Sequence, residues 1–335
     1  MQAIPSPQGC PVASVPDPHL AVLDDDRFLI ETIANLTGCP ADEVCRRLVA
    51  EHRSLGENVR RGLAAAGLPL HAWSDGLPAF YERSDAFLYE TTVWNRCGSK
   101  CQLRRWIAEF LRTELPHGGR VLCYGDGLGY DSLYLAQAGH DVTYDEVSAR
   151  CRQFASAVIA RDGVRVRGLA SPQPLTPESF DAIVCLDVLE HVPDPPELVR
   201  RLASLLRRGG TLVVHAPFFY VSPAVGTHLR SNLRYSGDWR RLYAPQQLVP
   251  VAGAFFWNPV VLRKGVPAPR PAVPWRVRLG GWLLSIARVW AMPHILVCEH
   301  LLSRGDRREL ARRAAALAAL CPPGDRREPG PADGG

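Results

Sequence analysis

Up to Glu114 the apolar positions recur three and four residues apart: Phe28, Leu29, Ile33 and Leu36, then Val44, Leu48 and Val49, and later Leu103, Trp106, Ile107, Phe110 and Leu111. That is the period of helices that bury one stripe and expose the rest. Gly38 closes the first run. Pro40-Ala41-Asp42-Glu43 opens the next, with proline in the first turn and acids at the positive end of the helix dipole. The pattern predicts helices over His19 to Gly67 and again over Trp73 to Glu114. From Arg120 the rhythm changes to short continuous apolar runs. Val121 to Tyr124, Asp141 to Tyr144, Val164 to Val166, Asp181 to Leu186 and Gly210 to Val214 read as strands, with a helix over Glu197 to Leu206 before the last. Strands alternating with helices imply an α/β domain whose parallel sheet is covered on both faces.

Composition narrows the class. The chain has 335 residues, 47% hydrophobic and 22% charged, which excludes wholesale disorder. Its net charge is +5, yet Lys100 and Lys264 are the only lysines, and no basic block interleaved with aromatics argues for nucleic acid. Residues 1–18 carry five prolines and no basic stretch leading into an apolar core, so no secretory signal is expected there. The ten scattered cysteines are then expected to be reduced, in a cytoplasmic protein. Cys97 and Cys101 lack the further partners that an iron–sulfur cluster or a four-cysteine zinc site needs. Five regions follow: a flexible lead-in (1–18), a helical N-terminal region (19–115), the α/β core (116–266), a proline linker with an apolar helical C-terminal segment (267–321), and a disordered tail (322–335).

Gly125-Asp126-Gly127-Leu128-Gly129 follows the first strand and opens a helix, where missing Cβ atoms let backbone approach a ligand. A dinucleotide turn needs G-x-G-x-x-G, but here Tyr130 follows Gly129. About 20 residues on, Asp145 or Glu146 at the end of the second strand supplies a carboxylate for ribose hydroxyls. These two features alone are shared by NAD-dependent oxidoreductases and by purely structural loops.

The run from Phe180 to Val214, FDAIVCLDVLEHVPDPPELVRRLASLLRRGGTLVV, resembles the class I S-adenosylmethionine-dependent methyltransferases, especially the group with the ubiquinone-biosynthesis O-methyltransferases. The matching positions are Phe180, Asp181, Leu189 to Pro195, Gly209 and Gly210, and Tyr243 to Leu248 and Ala252 to Phe255 resemble the family's late helix and strand. The resemblance spans about Arg120 to Lys264. It implies a Rossmann-like, doubly wound, mostly parallel seven-stranded sheet with helical N- and C-terminal additions. It also implies S-adenosyl-L-methionine as cofactor and methyl transfer to a small-molecule, glycan or lipid-linked acceptor, most naturally at oxygen. Gly125, Asp126, Gly127, Gly129, Glu146, Leu186 and Asp187 would hold the cofactor. His191, His215 and His228 are candidate bases.

Two positions depart from the family pattern. Cys123 stands where an acid usually precedes the glycines, with Asp126 as a substitute, and no acid follows the third strand at Gly168-Leu169-Ala170, where Asp162 or a backbone carbonyl could stand in. No metal is expected; the alternative is Mg²⁺ on Asp187, Glu190 and His191, since acid-x-x-Glu-His resembles a Mg²⁺-holding run in some superfamily members. The rival functions are an inactive methyltransferase-fold binding module and an NAD-dependent oxidoreductase. The helical N-terminal region is expected to form the lid on the acceptor side. Leu279 to Leu302 is apolar but broken by Arg288, Pro293 and Glu299, so it is expected to pack as core or to touch the membrane surface through 275–302, not to span it.

Overall fold

The computed structural model describes residues 20–171, 174–237, 239–253, 259–265 and 304–321, with single positions at 17, 275, 278, 279, 282 and 283. Nearly all of the lead-in and of 275–302, the linker at 267–274 and the tail lie outside the described residues. Among those described, no helix is long and apolar enough to cross a membrane.

Seven strands form one sheet: β1 (Arg120–Tyr124), β2 (Asp141–Asp145), β3 (Val166–Arg167), β4 (Phe180–Leu186), β5 (Leu206–His215), β6 (Leu248–Gly253) and β7 (Val260–Lys264). Their order is β3-β2-β1-β4-β5-β7-β6, parallel except for β7, which runs against β5 and β6. The mostly parallel, seven-stranded α/β architecture is therefore present. In β4 the side chains alternate between two cores, as a strand buried on both faces must. Ala182, Val184 and Leu186 join one apolar cluster, and Ile183 and Cys185 join the other.

The first face is covered by α7 (Tyr130–Gln137), α8 (Ala149–Asp162) and the N-terminal helices α1 (Asp26–Thr37), α2 (Ala41–Arg53), α5 (Ala86–Asn95) and α6 (Gly98–Glu114). Leu29, Ile33, Leu48 and Val93 share one core with Val121, Leu133 and Phe154, so the N-terminal helices are continuous with the sheet's own packing. α9 (Pro195–Leu205) covers the second face through Leu198, Val199 and Leu202. Two shorter helices, α3 (Glu57–Ala65) and α4 (Leu77–Arg83), build a satellite cluster with Leu229.

Several boundaries shift from those predicted. The helical run over 73–114 is three helices, α4 to α6, separated where Ser84 and Cys97 turn extended. The third strand falls at Val166–Arg167. α9 starts at Pro195 because Asp194 accepts the Glu197 amide at 3.2 Å and caps it, and β5 begins at Leu206. After the short α10 (Trp239–Leu242), residues 244–246 make one 3-10 turn, and β6 starts at Leu248, earlier than the family pattern suggested.

The cysteines need a correction. Cys45 on α2 and Cys321, just past α11 (Arg304–Leu320), form a disulfide. α11 lies along α2 with Leu310, Ala314 and Leu317 buried, which brings the two Cα atoms to 6.0 Å. Six other described cysteines, Cys97 and Cys101 among them, are free.

Candidate active site

Strand order reverses between β1 and β4, the point where open α/β sheets leave a crevice at their carboxyl ends. A cavity of about 2100 Å³ opens there. That is about twice the upper end of the ~300–1,000 Å³ usual for one small ligand.

The turn after β1 forms its floor. Gly125, Gly127 and Gly129 have φ of 68°, 55° and 77°, a region that L side chains rarely adopt. A Cβ on Gly125 would sit 2.6 Å from Val188 Cγ2, and one on Gly129 2.7 Å from the Ala155 Cβ, whereas one on Gly127 would meet nothing closer than Thr91 Cγ2 at 3.5 Å. The first and third glycines therefore serve close packing, and the second keeps space clear. Glu146 braces the turn: its carboxylate accepts the Gly127 amide at 3.0 Å and the Ser148 amide at 2.9 Å. Burial raises its pKa, against the pull of these amides. Asp145 is paired in register with Tyr124, near Arg201, one position away along a strand whose side chains alternate. Both acids line the cavity.

Asp126 accepts the backbone amides of Asp131 (3.2 Å) and Ser132 (2.7 Å), so it caps α7. Burial, with Asp131 nearby, pushes its pKa up to about 7. Cys123 is buried beside it. Asp162 is the last residue of α8, where its carboxylate accepts from Gln137 Nε2 at 2.7 Å.

At the end of β4, Asp187 holds a φ of 57°. Its Oδ1 takes His215 Nδ1 at 2.5 Å and its Oδ2 takes Trp94 Nε1 at 3.0 Å. Burial opposes its charge, but His215, Lys100 and Trp94 together hold it well below the usual carboxylate range. Leu186 borders the same opening.

Glu190 is 1% exposed, and both of its oxygens lack a hydrogen-bond partner. His228 Nε2 lies 3.8 Å and His191 Nε2 3.9 Å from Oε1. His228 donates from Nδ1 to the Tyr220 carbonyl at 2.6 Å, which leaves Nε2 as an acceptor facing the carboxylate. Tyr81 meets His191 Nδ1 at 3.2 Å. Burial lowers both imidazoles, His191 to about 4, and raises Glu190. One carboxylate and two neutral imidazoles suit a divalent transition ion or zinc better than magnesium. The alternative metal set of Asp187, Glu190 and His191 is corrected accordingly. The atoms close enough to share an ion belong to Glu190, His191 and His228, while Asp187 is engaged by His215 and Trp94.

The N-terminal helices roof the cavity. α3 and the segment after it are stitched to the loop after β5: Arg60 donates to the Pro223 carbonyl (2.9 Å), the His71 amide to the Gly226 carbonyl (2.8 Å), and the Arg230 amide to the His71 carbonyl (3.0 Å). On α5, Phe87, Glu90, Thr91 and Trp94 face the opening. Burial, reinforced by Glu51 and Asp187, pushes Glu90 up to about 8. Glu90 and Lys100 were not singled out from sequence, because a helical stripe does not tell which of its flanks meets a cavity.

A mostly parallel sheet of this order, with a glycine turn after β1 and acidic residues at the end of β2, defines a class I methyltransferase fold. A family model described as a methyltransferase domain matches residues 98–251. The chain is 30% identical over 169 residues to a ubiquinone biosynthesis O-methyltransferase of Ralstonia nicotianae, covering 46% of this chain and 70% of that protein. It is 43% identical over 137 residues to the protein of the same name from Xanthomonas campestris pv. campestris, 38% of this chain and 56% of the relative. The chain thus spans little more than half the length of the first relatives it matches. A solved structure, Burkholderia thailandensis 1,6-didemethyltoxoflavin-N1-methyltransferase with bound 1,6-didemethyltoxoflavin and S-adenosylhomocysteine, is 21% identical over 59% of this chain and 95% of its own, with a TM-score of 0.44. The chain belongs to the class I S-adenosylmethionine-dependent methyltransferases.

Proposed function

We propose that the protein transfers a methyl group from S-adenosylmethionine to an oxygen of a small-molecule, glycan or lipid-linked acceptor. The observation that carries this is one cavity, at the strand reversal, that joins the glycine turn, Glu146 and the end of β4 to a volume large enough for a second ligand. The relatives' printed name, O-methyltransferase, supports oxygen as the acceptor atom.

When bound, the cofactor supplies an electrophilic methyl group on a sulfonium. The chain's share is to orient and desolvate, which in favourable cases contributes about 7–11 kcal/mol. Glu146 takes the ribose hydroxyls, and the open space over Gly127 admits the ligand. His215, fixed through Nδ1 on Asp187, keeps Nε2 to receive the acceptor's proton. The roof of α4 and α5 excludes water and shapes the acceptor side. Incubation with tritiated-methyl cofactor and aqueous, glycan and lipid extracts should label one fraction. No transfer to any fraction, with the cofactor bound, overturns the proposal.

A second reading adds a metal, favoured by the unpartnered Glu190 carboxylate facing His191 and His228. A divalent ion held there would act as a Lewis acid on an acceptor oxygen. Calorimetric zinc or manganese binding that Glu190→Gln abolishes supports it; equal binding by that variant refutes it.

A further inference from the structure

We infer that α11 is a thiol-controlled flap: the Cys45–Cys321 disulfide latches it against one flank of the cavity, and reduction lets that flank open. The device is independent of the methyl-transfer proposal, since it governs access whatever the cavity binds. α11 lies outside the matched methyltransferase domain, residues 98–251, yet its Asp306, Leu310, Ala311 and Ala314 form cavity wall. It packs on α2 and α6, whose His52 and Leu103 line the same cavity. The packing is light. Of its 17 residues only Leu310, Ala314 and Leu317 are buried. Its polar ties to the body include Asp306 Oδ1, which accepts the Ser99 amide at 3.2 Å, and Arg313, which donates to Asp24 at 2.8 Å. Both are exposed, and such surface contacts contribute little singly. A helix of this length is marginal when undocked, so the covalent link at its carboxyl end decides whether the wall stays in place.

The latch is placed to be opened. Cys45 is 3% exposed, whereas Cys321 is half-buried just past the end of α11, so an incoming thiolate reaches the Cys321 sulfur first. A monothiol such as glutathione attacks Cys321 Sγ. The Sγ–Sγ bond breaks, its electron pair stays on Cys45 Sγ, and that sulfur takes up a proton. The Leu317 carbonyl, 3.7 Å from Cys45 Sγ, then accepts the new thiol hydrogen. A second glutathione displaces the first from Cys321, leaving two protein thiols and one oxidised glutathione. Six other described cysteines are free. One bridge among free thiols is the pattern of a redox sensor, where a scaffold would pair its cysteines throughout.

Hydrogen–deuterium exchange on the full chain, oxidised and then reduced with glutathione, tests this. Reduction should speed exchange at least about tenfold in 304–320 and at Ser99, while β1 and β4 keep their protection. Cys321→Ser should match reduced wild type with or without thiol. Millimolar reduced glutathione should open the bridge in the folded chain, read by mass spectrometry of alkylated Cys45 and Cys321. Unchanged exchange in α11 after reduction overturns the latch. So does acceleration spread equally over the sheet, which would make the bridge a general staple, and so does a bridge that survives the thiol. No arm needs a bound cofactor, so the outcome stands apart from whether methyl transfer occurs.

Discussion

Glu146 does two jobs, and replacing it should separate them. In the free protein its carboxylate accepts the Gly127 amide at 3.0 Å and the Ser148 amide at 2.9 Å, joining the glycine turn to the start of α8. Hydrogen bonds to a charged acceptor contribute about 1.5–3 kcal/mol each, and this side chain is only half-buried, so Glu146→Ala should lose about 2–4 kcal/mol of stability. If the same carboxylate also takes the ribose hydroxyls, cofactor affinity should fall a further ten- to a hundredfold. Glu146→Gln keeps one acceptor oxygen and should retain more of the fold than of the affinity. Chemical denaturation reads the first effect, and calorimetry with S-adenosylhomocysteine reads the second. Wild-type binding by Glu146→Ala, with binding lost in Asp145→Ala, would refute this role for Glu146. That result would move the ribose to the side of β2 where Tyr124 and Arg201 lie.

Glu90 should give stability a pH dependence. Its pKa in the fold is pushed up to about 8, so the folded chain holds a proton that the unfolded chain releases in the ordinary carboxylate range. The stabilisation is complete below that range and is lost as pH rises towards 8. Glu90→Gln should therefore gain stability over wild type between pH 5 and 8, by a few kcal/mol at about 1.4 kcal/mol per unit; a constant difference across that range contradicts it. Breaking the Cys45–Cys321 disulfide should cost about 2–5 kcal/mol, given the separation of 276 positions between its ends. Cys321→Ser and reduced wild type should melt together below oxidised wild type; equal melting of all three would show that α11 holds without it.

The α/β core was legible where burial on both faces makes a strand a continuous apolar run, as in β1, β2 and β4. β3 was misplaced because two residues leave almost no pattern, and β7 was missed because its Arg263 and Lys264 end reads as surface. The glycine turn is local to one strand–turn–helix unit, so spacing shows it; for the acid after β2 spacing leaves Asp145 and Glu146 open, and the family resemblance chooses between them. The metal-type cluster was half legible. Glu190 and His191 are neighbours, but His228 arrives from the loop after β5, and its partnership with them is tertiary. Lys100 and the disulfide depend on where whole helices dock. No periodicity within α6 or α2 encodes that.

The central claim is tested most directly by titrating S-adenosylhomocysteine into the full chain. One site of micromolar affinity or better is expected, with a melting temperature that rises as the ligand exceeds its dissociation constant. No heat of binding and no change in melting at millimolar ligand would contradict it.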